Sequence, residues 1–146
     1  MERSQRPAHI IQHSEVAAWL ADSIVKVTTV HRTTAESAAA ILRAGVHIEH
    51  TAVDVAWGRG FYTTNRPQRH AGDTNVRVAV RLRRPLVVDD PIEGQEQIDT
   101  LLREAGNEDI RAVLQGAGYD GVVVRFLDGE MWAVAHSDEQ VKVVRG

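Results

Sequence analysis

The sequence predicts a single mixed α+β domain, and three observations carry that prediction. Residues 76–83 alternate between apolar and charged positions, which is typical of a strand with one face toward water. Asp128-Gly129 stands between two apolar runs and predicts a tight hairpin turn. Residues 35–45 are alanine-rich at helical spacing, with Thr34 as the N-cap and Gly45 as the stop. Helices are therefore expected near the start and middle of the chain, and most strands in its second half.

The other elements follow from local residue preferences. Ser14 caps a short apolar run, which predicts a helix over residues 14–21. Residues 24–30 are rich in β-branched side chains and predict a strand that ends at His31. Further predicted strands lie at 86–88, 122–126, 131–135 and 140–144, and further predicted helices at 98–105 and 109–115. Residues 46–65 are expected to be irregular, with a short apolar and aromatic piece at 61–64.

The first residues differ from the rest of the chain. Residues 1–13 are polar, contain Pro7 and have no sustained hydrophobic period. We expect them to form a flexible N-terminal arm or a short edge element. The folded domain is then predicted to cover residues 14–146.

Composition excludes several classes of function. The chain has 146 residues, 43% hydrophobic and 25% charged, which suits one globular domain with its own core. It contains no cysteine, so thiolate catalysis, disulfides and cysteine-ligated zinc are excluded. A net charge of −3 argues against a general nucleic-acid binder. No apolar run is long enough to span a bilayer, so a cytoplasmic location without a membrane partner is expected.

Metal and phosphate-loop signatures are weak or missing. His47 and His50 have a spacing that suits one helix face, but they follow Gly45 and lack a convincing third ligand. We therefore expect no metal site. The sequence also contains no dinucleotide-binding glycine motif, P-loop or nucleophile elbow.

Two short segments carry polar or aromatic residues where a binding site is expected. His31 ends an apolar strand and is followed by two threonines, although a capping role for Thr34 and a backbone-bonded His31 would explain the same pattern. Phe61-Tyr62 follows two glycines, where an aromatic face could stack on a flat ring. The alternative is that both aromatic rings belong to the core.

The order of these and later motifs resembles the ADP-ribosyltransferase superfamily, in the branch of diphtheria toxin, the poly(ADP-ribose) polymerases and small bacterial and phage transferase domains. That branch has a His-Gly-Thr strand end, a Gly-x-Gly-(Phe/Ile)-Tyr segment and a late strand carrying glutamate. The matching segments here are His31-Arg32-Thr33, Gly58-Arg59-Gly60-Phe61-Tyr62, Pro85-Leu86-Val87-Val88-Asp89, Gly118-Tyr119-Asp120-Gly121 and Glu139-Gln140-Val141-Lys142. The resemblance covers about residues 25–144. It implies an ADP-ribosyltransferase-like domain at 14–146, with a split, antiparallel-rich β-sheet core and flanking short helices.

The resemblance also implies a set of NAD-contacting residues. His31 would bind the NAD ribose and Thr33 would support that strand end. Arg32 replaces the family's usual glycine and would crowd the adenosine side or offer a charge to the pyrophosphate. The nicotinamide pocket would be formed by Gly60, Phe61, Tyr62 and Thr63, with His70 in place of the family's second stacking tyrosine.

The catalytic glutamate implied by the resemblance has several candidates. Glu130 is the nearest carboxylate before the late strand. Counting back from Gln140 without an insertion leads instead to Met131 or Trp132. Glu139 and Gln140 itself are the remaining alternatives.

The implied activity is cleavage of the nicotinamide–ribose bond of NAD and transfer of ADP-ribose to a protein or nucleic acid, as in a toxin or effector. His31, Tyr62 and Glu130 would be the catalytic residues, NAD the co-substrate, and no metal would be needed. An antitoxin or immunity protein would be a further partner. The alternatives are a degenerate domain that binds NAD or ADP-ribose, an RNA 2′-phosphotransferase-like enzyme, and an NAD glycohydrolase.

Overall fold

The computed structural model describes residues 7–51 and 55–146 of the chain. The strands are β1 (Ile10–Gln12), β2 (Thr29–Thr33), β3 (Phe61–Thr64), β4 (Thr74–Val80), β5 (Leu86–Val88), β6 (Gly121–Arg125), β7 (Met131–Ala135) and β8 (Val141–Arg145). The α-helices are α1 (Val16–Trp19), α2 (Ala35–Ala44), α3 (Pro91–Ala105) and α4 (Ile110–Gly116). None of the helices in these ranges has the length and apolar character that crossing a membrane requires.

The strands form one eight-stranded mixed sheet in the order β1-β8-β4-β2-β3-β7-β6-β5. β1 runs parallel to β8 and β5 parallel to β6, whereas the other neighbours are antiparallel. The α+β class is confirmed. The sheet is hydrogen-bonded from edge to edge, and its weakest junction lies between β2 and β3, which pair at one position, Val30 with Thr64. The split core of an ADP-ribosyltransferase-like domain stays a prediction.

Helices cover both faces of this sheet. On one face, Ala38 of α2 packs with Phe61, Val76 and Val123 of the strands. On the other face, Ile98 of α3 and Leu114 of α4 pack with a different set of core residues, Trp57, Leu86, Val88, Val122, Val124 and Val134. Successive residues of β3 therefore belong to different cores, because side chains alternate across a strand.

The strand predicted at residues 24–30 is displaced in the structure. β2 begins at Thr29 and continues through His31 to Thr33, because its partner β4 offers register positions only from Thr29–Val78 to Thr33–Thr74. Residues 24–28 precede the strand, and the β-branched side chains of Ile24 and Val27 are 54% and 58% exposed. Pairing between distant segments has overridden local strand preference here.

Two helix predictions have the wrong limits. α3 begins at Pro91, seven residues before the predicted start, since the Asp90 side chain accepts hydrogen bonds from the Ile92 and Glu93 backbone N–H groups. A capping aspartate followed by proline is a recognised helix start. The helix predicted at 14–21 is shorter, with a 3₁₀ turn at His13–Glu15 before α1.

Other local predictions are confirmed. The Thr34 side chain accepts a hydrogen bond from Ser37 N at the start of α2, and Gly45 ends that helix with a φ of 85°. The turn at Asp128-Gly129 joins β6 to β7, with Arg125 opposite Met131. Gly129 has the positive φ that such a turn favours.

The N-terminal segment 1–13 includes an edge strand. Ile10, Ile11 and Gln12 of β1 pair with Val143 to Arg145 of β8, and both isoleucines are buried. A short edge element, the second of the two expectations for this segment, is thus what the structure has at residues 10–12. Residues 1–6 lie outside the described residues.

Candidate functional site

The junction between β2 and β3 is held by side chains where backbone pairing is missing. The Thr29 hydroxyl donates to Thr63 Oγ1 at 2.7 Å, and Thr63 Oγ1 donates to the Ala133 carbonyl at 2.8 Å. Two residues further along β2, His31 Nδ1 lies 2.7 Å from the Tyr62 carbonyl oxygen. The two strands are therefore connected, but they leave space between them.

A cavity of about 250 Å³ opens at this junction, and we call it the β2–β3 cavity. Besides His31, three lining residues carry flat rings: Tyr62, His70 and Trp132. The full lining consists of Val30, His31, Arg32, Tyr62, Thr63, Thr64, His70, Ala71 and Trp132. A concave site with aromatic walls and a few polar groups suits a small planar ligand.

His31 has a defined tautomer in this arrangement. The Tyr62 carbonyl can only accept, so His31 Nδ1 carries the proton and Nε2 is left as an acceptor. Burial lowers the pKa of His31, and the bond to Tyr62 opposes that effect, so the neutral ring is favoured. Its ring stacks on Phe61 with centroids 4.2 Å apart. His31 can therefore accept a hydrogen bond from a ligand hydroxyl.

A second cavity of about 410 Å³ lies beside α2, and we call it the α2 cavity. It shares His31 with the β2–β3 cavity and adds polar groups from Thr33, Ser37 and Arg43. Phe61 belongs to the core under α2, whereas Tyr62 packs with the opposite core. The two cavities thus approach His31 from two sides of the sheet.

Tyr62 presents its ring, and not its hydroxyl, to a ligand in the β2–β3 cavity. The hydroxyl donates to the Gly58 carbonyl at 2.8 Å and accepts from Trp57 N at 3.0 Å. Burial raises the pKa of Tyr62 above its usual value, which excludes the phenol as a proton donor or acceptor near neutral pH. The ring is left as a fixed wall of the β2–β3 cavity.

Glu130 lies behind the lining of the β2–β3 cavity, and hydrogen-bond donors enclose its carboxylate. Its side chain is 10% exposed, and Glu130 is absent from the cavity lining. Burial alone would raise the pKa of Glu130, but four hydrogen bonds lower it to about 2. The four donors are His70 Nε2 at 2.7 Å, Trp132 Nε1 at 2.8 Å, Arg69 Nη1 at 3.1 Å and Thr64 Oγ1 at 3.2 Å. Glu130 is therefore an ionised group that fixes three residues of the cavity wall, Thr64, His70 and Trp132.

The other predicted NAD contacts fall into three groups. Arg32 lines the β2–β3 cavity, and its guanidinium donates to the Gly72 carbonyl and to Asn75 Oδ1. Thr33 lines the α2 cavity, while the Thr63 hydroxyl is occupied within the sheet. Gly60 allows close approach of β7, because a Cβ there would lie 2.5 Å from the Ala135 carbonyl oxygen.

The alternative carboxylate positions are separated from the β2–β3 cavity. Gln140 is buried, with its Oε1 accepting from His136 N and Ser137 N and its Nε2 donating to Asp120 O. Glu139 is exposed and lines a different, polar depression near Arg111. Among the positions obtained by counting back from Gln140, Trp132 is the one that lines the cavity.

Sequence reasoning missed the donors around Glu130. Arg69 and Thr64 have no motif of their own, and they reach Glu130 from 61 and 66 residues away. Trp132 had a usable signal, since counting along the late strand leads to its position. Its pairing with Thr64 across β3 and β7 then places it beside the junction.

Metal binding has no support in the geometry of residues 7–51 and 55–146, where no three histidine or carboxylate side chains converge. The sequence pair considered for a metal includes His50, whose side chain lies outside the described part of the chain.

Comparison of the sequence with models of known protein families gives no match, and neither does comparison with curated protein sequences.

Proposed function

We propose that this protein binds NAD and transfers its ADP-ribose group to a macromolecule, breaking the nicotinamide–ribose bond. The observation that carries the proposal is the position of His31 between two cavities, with an accessible acceptor nitrogen. A ring-walled cavity on one side suits the nicotinamide, and a larger cavity on the other, with polar groups from Thr33, Ser37 and Arg43, suits the rest of the dinucleotide.

The chemistry asks for rigid positioning more than for a strong acid or base. Breaking the bond yields neutral nicotinamide and an oxocarbenium-like ribose, so the site must hold the ring, orient the sugar and tolerate positive charge. Tyr62 holds the nicotinamide by stacking. His31 accepts a hydrogen bond from a ribose hydroxyl through Nε2. Glu130 supplies a negative charge close behind His70 and Trp132.

The partners in this proposal are NAD and a protein or nucleic acid acceptor in the cytoplasm. A toxin or effector role, with an antitoxin or immunity protein as a further partner, stays a prediction from the resemblance of the motifs.

Arg43 and Ser37 in the α2 cavity supply a cation and a hydroxyl for the pyrophosphate of NAD.

A second candidate is a domain that binds NAD or ADP-ribose without cleaving NAD. The observation that favours it is the position of Glu130, because no carboxylate of the described residues lines the β2–β3 cavity. Such a domain would retain the stacking wall and His31 while lacking a charge in contact with the sugar.

The experiment that separates these functions measures NAD binding by calorimetry and nicotinamide release by chromatography on the same protein. The transferase predicts both, with nicotinamide release reduced about 10²–10³-fold in His31→Ala and a large loss of NAD binding in Tyr62→Ala. His13→Gln, an exposed histidine, is the matched control and should behave as wild type. Binding without release, even with cell lysate as acceptor, would establish the binding domain instead.

A further inference from the structure

Glu130 and His70 form an oriented pair at the wall of the β2–β3 cavity. His70 Nε2 lies 2.7 Å from Glu130 Oε2, and the carboxylate is ionised. An ionised carboxylate only accepts hydrogen bonds, so His70 Nε2 carries a proton. In the neutral ring, His70 Nδ1 is then a base with a free lone pair.

His70 Nδ1 is available to a ligand. His70 lines the β2–β3 cavity and its side chain is 30% exposed. Within residues 7–51 and 55–146, Nδ1 makes no hydrogen bond, and it does not belong to the buried unpaired atoms. The ring therefore presents its acceptor nitrogen on the accessible side while its other nitrogen is anchored.

The pair is held rigidly by its neighbours. Trp132 Nε1 and Thr64 Oγ1 share Glu130 Oε2 with His70, and Arg69 Nη1 binds Oε1. The Trp132 ring also makes an edge contact with His70, with centroids 5.6 Å apart. A carboxylate fixed in this way orients the imidazole.

The charged groups around His70 are few. Arg69 is bound to both Glu130 and Asp128, so its charge is shared between two carboxylates. Arg32 and His31 line the same cavity, with Arg32 bonded to Gly72 and Asn75. Glu130 is thus the group that contacts His70 directly.

We propose that His70 is the base that takes the proton of the acceptor nucleophile, and that Glu130 is its positioning residue. This inference rests on the transferase function proposed above. The acceptor X–H loses its proton to His70 Nδ1 while X forms a bond to C1′ of the ribose. The C1′–N1 bond breaks and its electron pair stays on the nicotinamide, which leaves as a neutral molecule. The resulting imidazolium is balanced by the Glu130 carboxylate.

The two histidines of the cavity have different chemical roles for a structural reason. His31 is anchored to a neutral carbonyl, and burial favours its uncharged form, so it serves as a hydrogen-bond acceptor. His70 is anchored to the ionised Glu130 carboxylate, which lies where it can balance a positive charge formed on the ring during the reaction. The His70 pair is therefore the one that suits proton transfer from the acceptor.

The test follows nicotinamide release from NAD, with water as the acceptor, in wild type, His70→Ala, His70→Gln and Glu130→Gln. We expect kcat to fall about 10²–10⁴-fold in both His70 variants, by a much larger factor than any rise in the Kd for NAD measured by calorimetry. Imidazole added to the buffer should restore part of the rate in His70→Ala, since it can occupy the space left beside Glu130. Glu130→Gln should lower kcat by a smaller factor at unchanged KM. His13→Gln is the control and should show no loss and no response to imidazole.

Three results would overturn the inference. Wild-type kcat in His70→Ala, or a loss that imidazole does not restore while NAD still binds, would remove the base role and leave NAD cleavage standing. If His70→Ala does not bind NAD, His70→Gln decides instead: a wild-type kcat in this variant would remove the base role. Absence of nicotinamide release from wild type, with water and also with cell lysate as acceptor, would overturn the transferase function together with this inference.

Discussion

The β6–β7 hairpin and the β2–β3 junction show two ways in which neighbouring strands are joined in one sheet. The hairpin pairs five positions in register, and Val122, Val123 and Val124 are almost completely buried in it. The junction pairs one position, and two side-chain hydrogen bonds supplement that pair, from Thr29 to Thr63 and from His31 to the Tyr62 carbonyl. Backbone pairing leaves no space for a ligand, whereas side-chain bridges do. The sheet is thus most open where the candidate site lies.

The largest effect is expected in the regular part of the sheet, from Gly121→Ala. A Cβ at Gly121 would lie 2.4 Å from the Val134 carbonyl oxygen and 2.7 Å from Leu82 Cδ2. The paired backbone of β7 would have to move, so we expect a loss of about 3 kcal/mol or more in the free energy of unfolding, measured with urea.

Gly116→Ala is the matched control for that change. Gly116 ends α4, and a Cβ there would meet no atom within 4 Å. We expect a gain of roughly 0.5 kcal/mol from the lower entropy of the unfolded chain. Equal losses in the two glycine variants would contradict the role assigned to close packing around β6 and β7.

Tyr62→Phe separates the ring from the hydroxyl at the junction. The change leaves the Trp57 N–H and the Gly58 carbonyl without their partner, so the free energy of unfolding should fall by about 1–3 kcal/mol. Because the ring is retained, the Kd for NAD and the kcat for nicotinamide release should stay near wild type at a temperature where the variant is folded. A loss of kcat comparable to that of Tyr62→Ala would show that the hydroxyl takes part in the reaction.

Thr29→Val tests the side-chain bridge between β2 and β3. Valine has a similar shape but cannot donate to Thr63 Oγ1, which keeps its own bond to Ala133. We expect a loss of about 1 kcal/mol, measured by urea unfolding. Thr63→Val should cost more, because it removes both bonds and leaves the buried Thr29 hydroxyl unpaired. The reverse order would mean that the bridge does not hold the junction.

The smallest effect is a dependence of stability on pH, contributed by the partly buried His31 of the junction and by the buried His136, which follows β7. Burial lowers the pKa of both histidines below the usual value for this residue. Below about pH 6.5 the unfolded chain takes up protons that the folded protein resists, so the free energy of unfolding should fall as the pH drops from 7.5 to 5.5. His31→Asn and His136→Asn should each flatten this slope in urea titrations. A slope unchanged in both variants would exclude these two histidines as its source.

Local sequence signals predicted part of this structure well. The Thr34 cap, the Gly45 stop and the Asp128-Gly129 turn depend on residues a few positions apart, and the structure has all three. The start of β2 was misplaced because it depends on β4, which lies more than 40 residues away. Local preference cannot report such pairing.

Part of the candidate site could likewise be predicted from local sequence, and part could not. His31 and Tyr62 could be selected from strand ends and neighbouring glycines, and the structure brings both to one cavity. The surroundings of Glu130 could not be predicted, since three of its four donors lie 60 or more residues away in sequence. Whether a carboxylate contacts a substrate or supports other residues is decided by such distant partners.

The position of β8 also affects when the protein can fold. β8 lies between β1 and β4, so residues 10–12 obtain their strand partner only from residues 143–145. During synthesis on the ribosome, this half of the sheet stays incomplete until residues 141–145 have emerged. Contacts between segments so far apart in sequence slow folding, because the intervening chain must be ordered first. Partly synthesised chains therefore expose the unpaired edges of β1 and β4, where they are open to association with other chains.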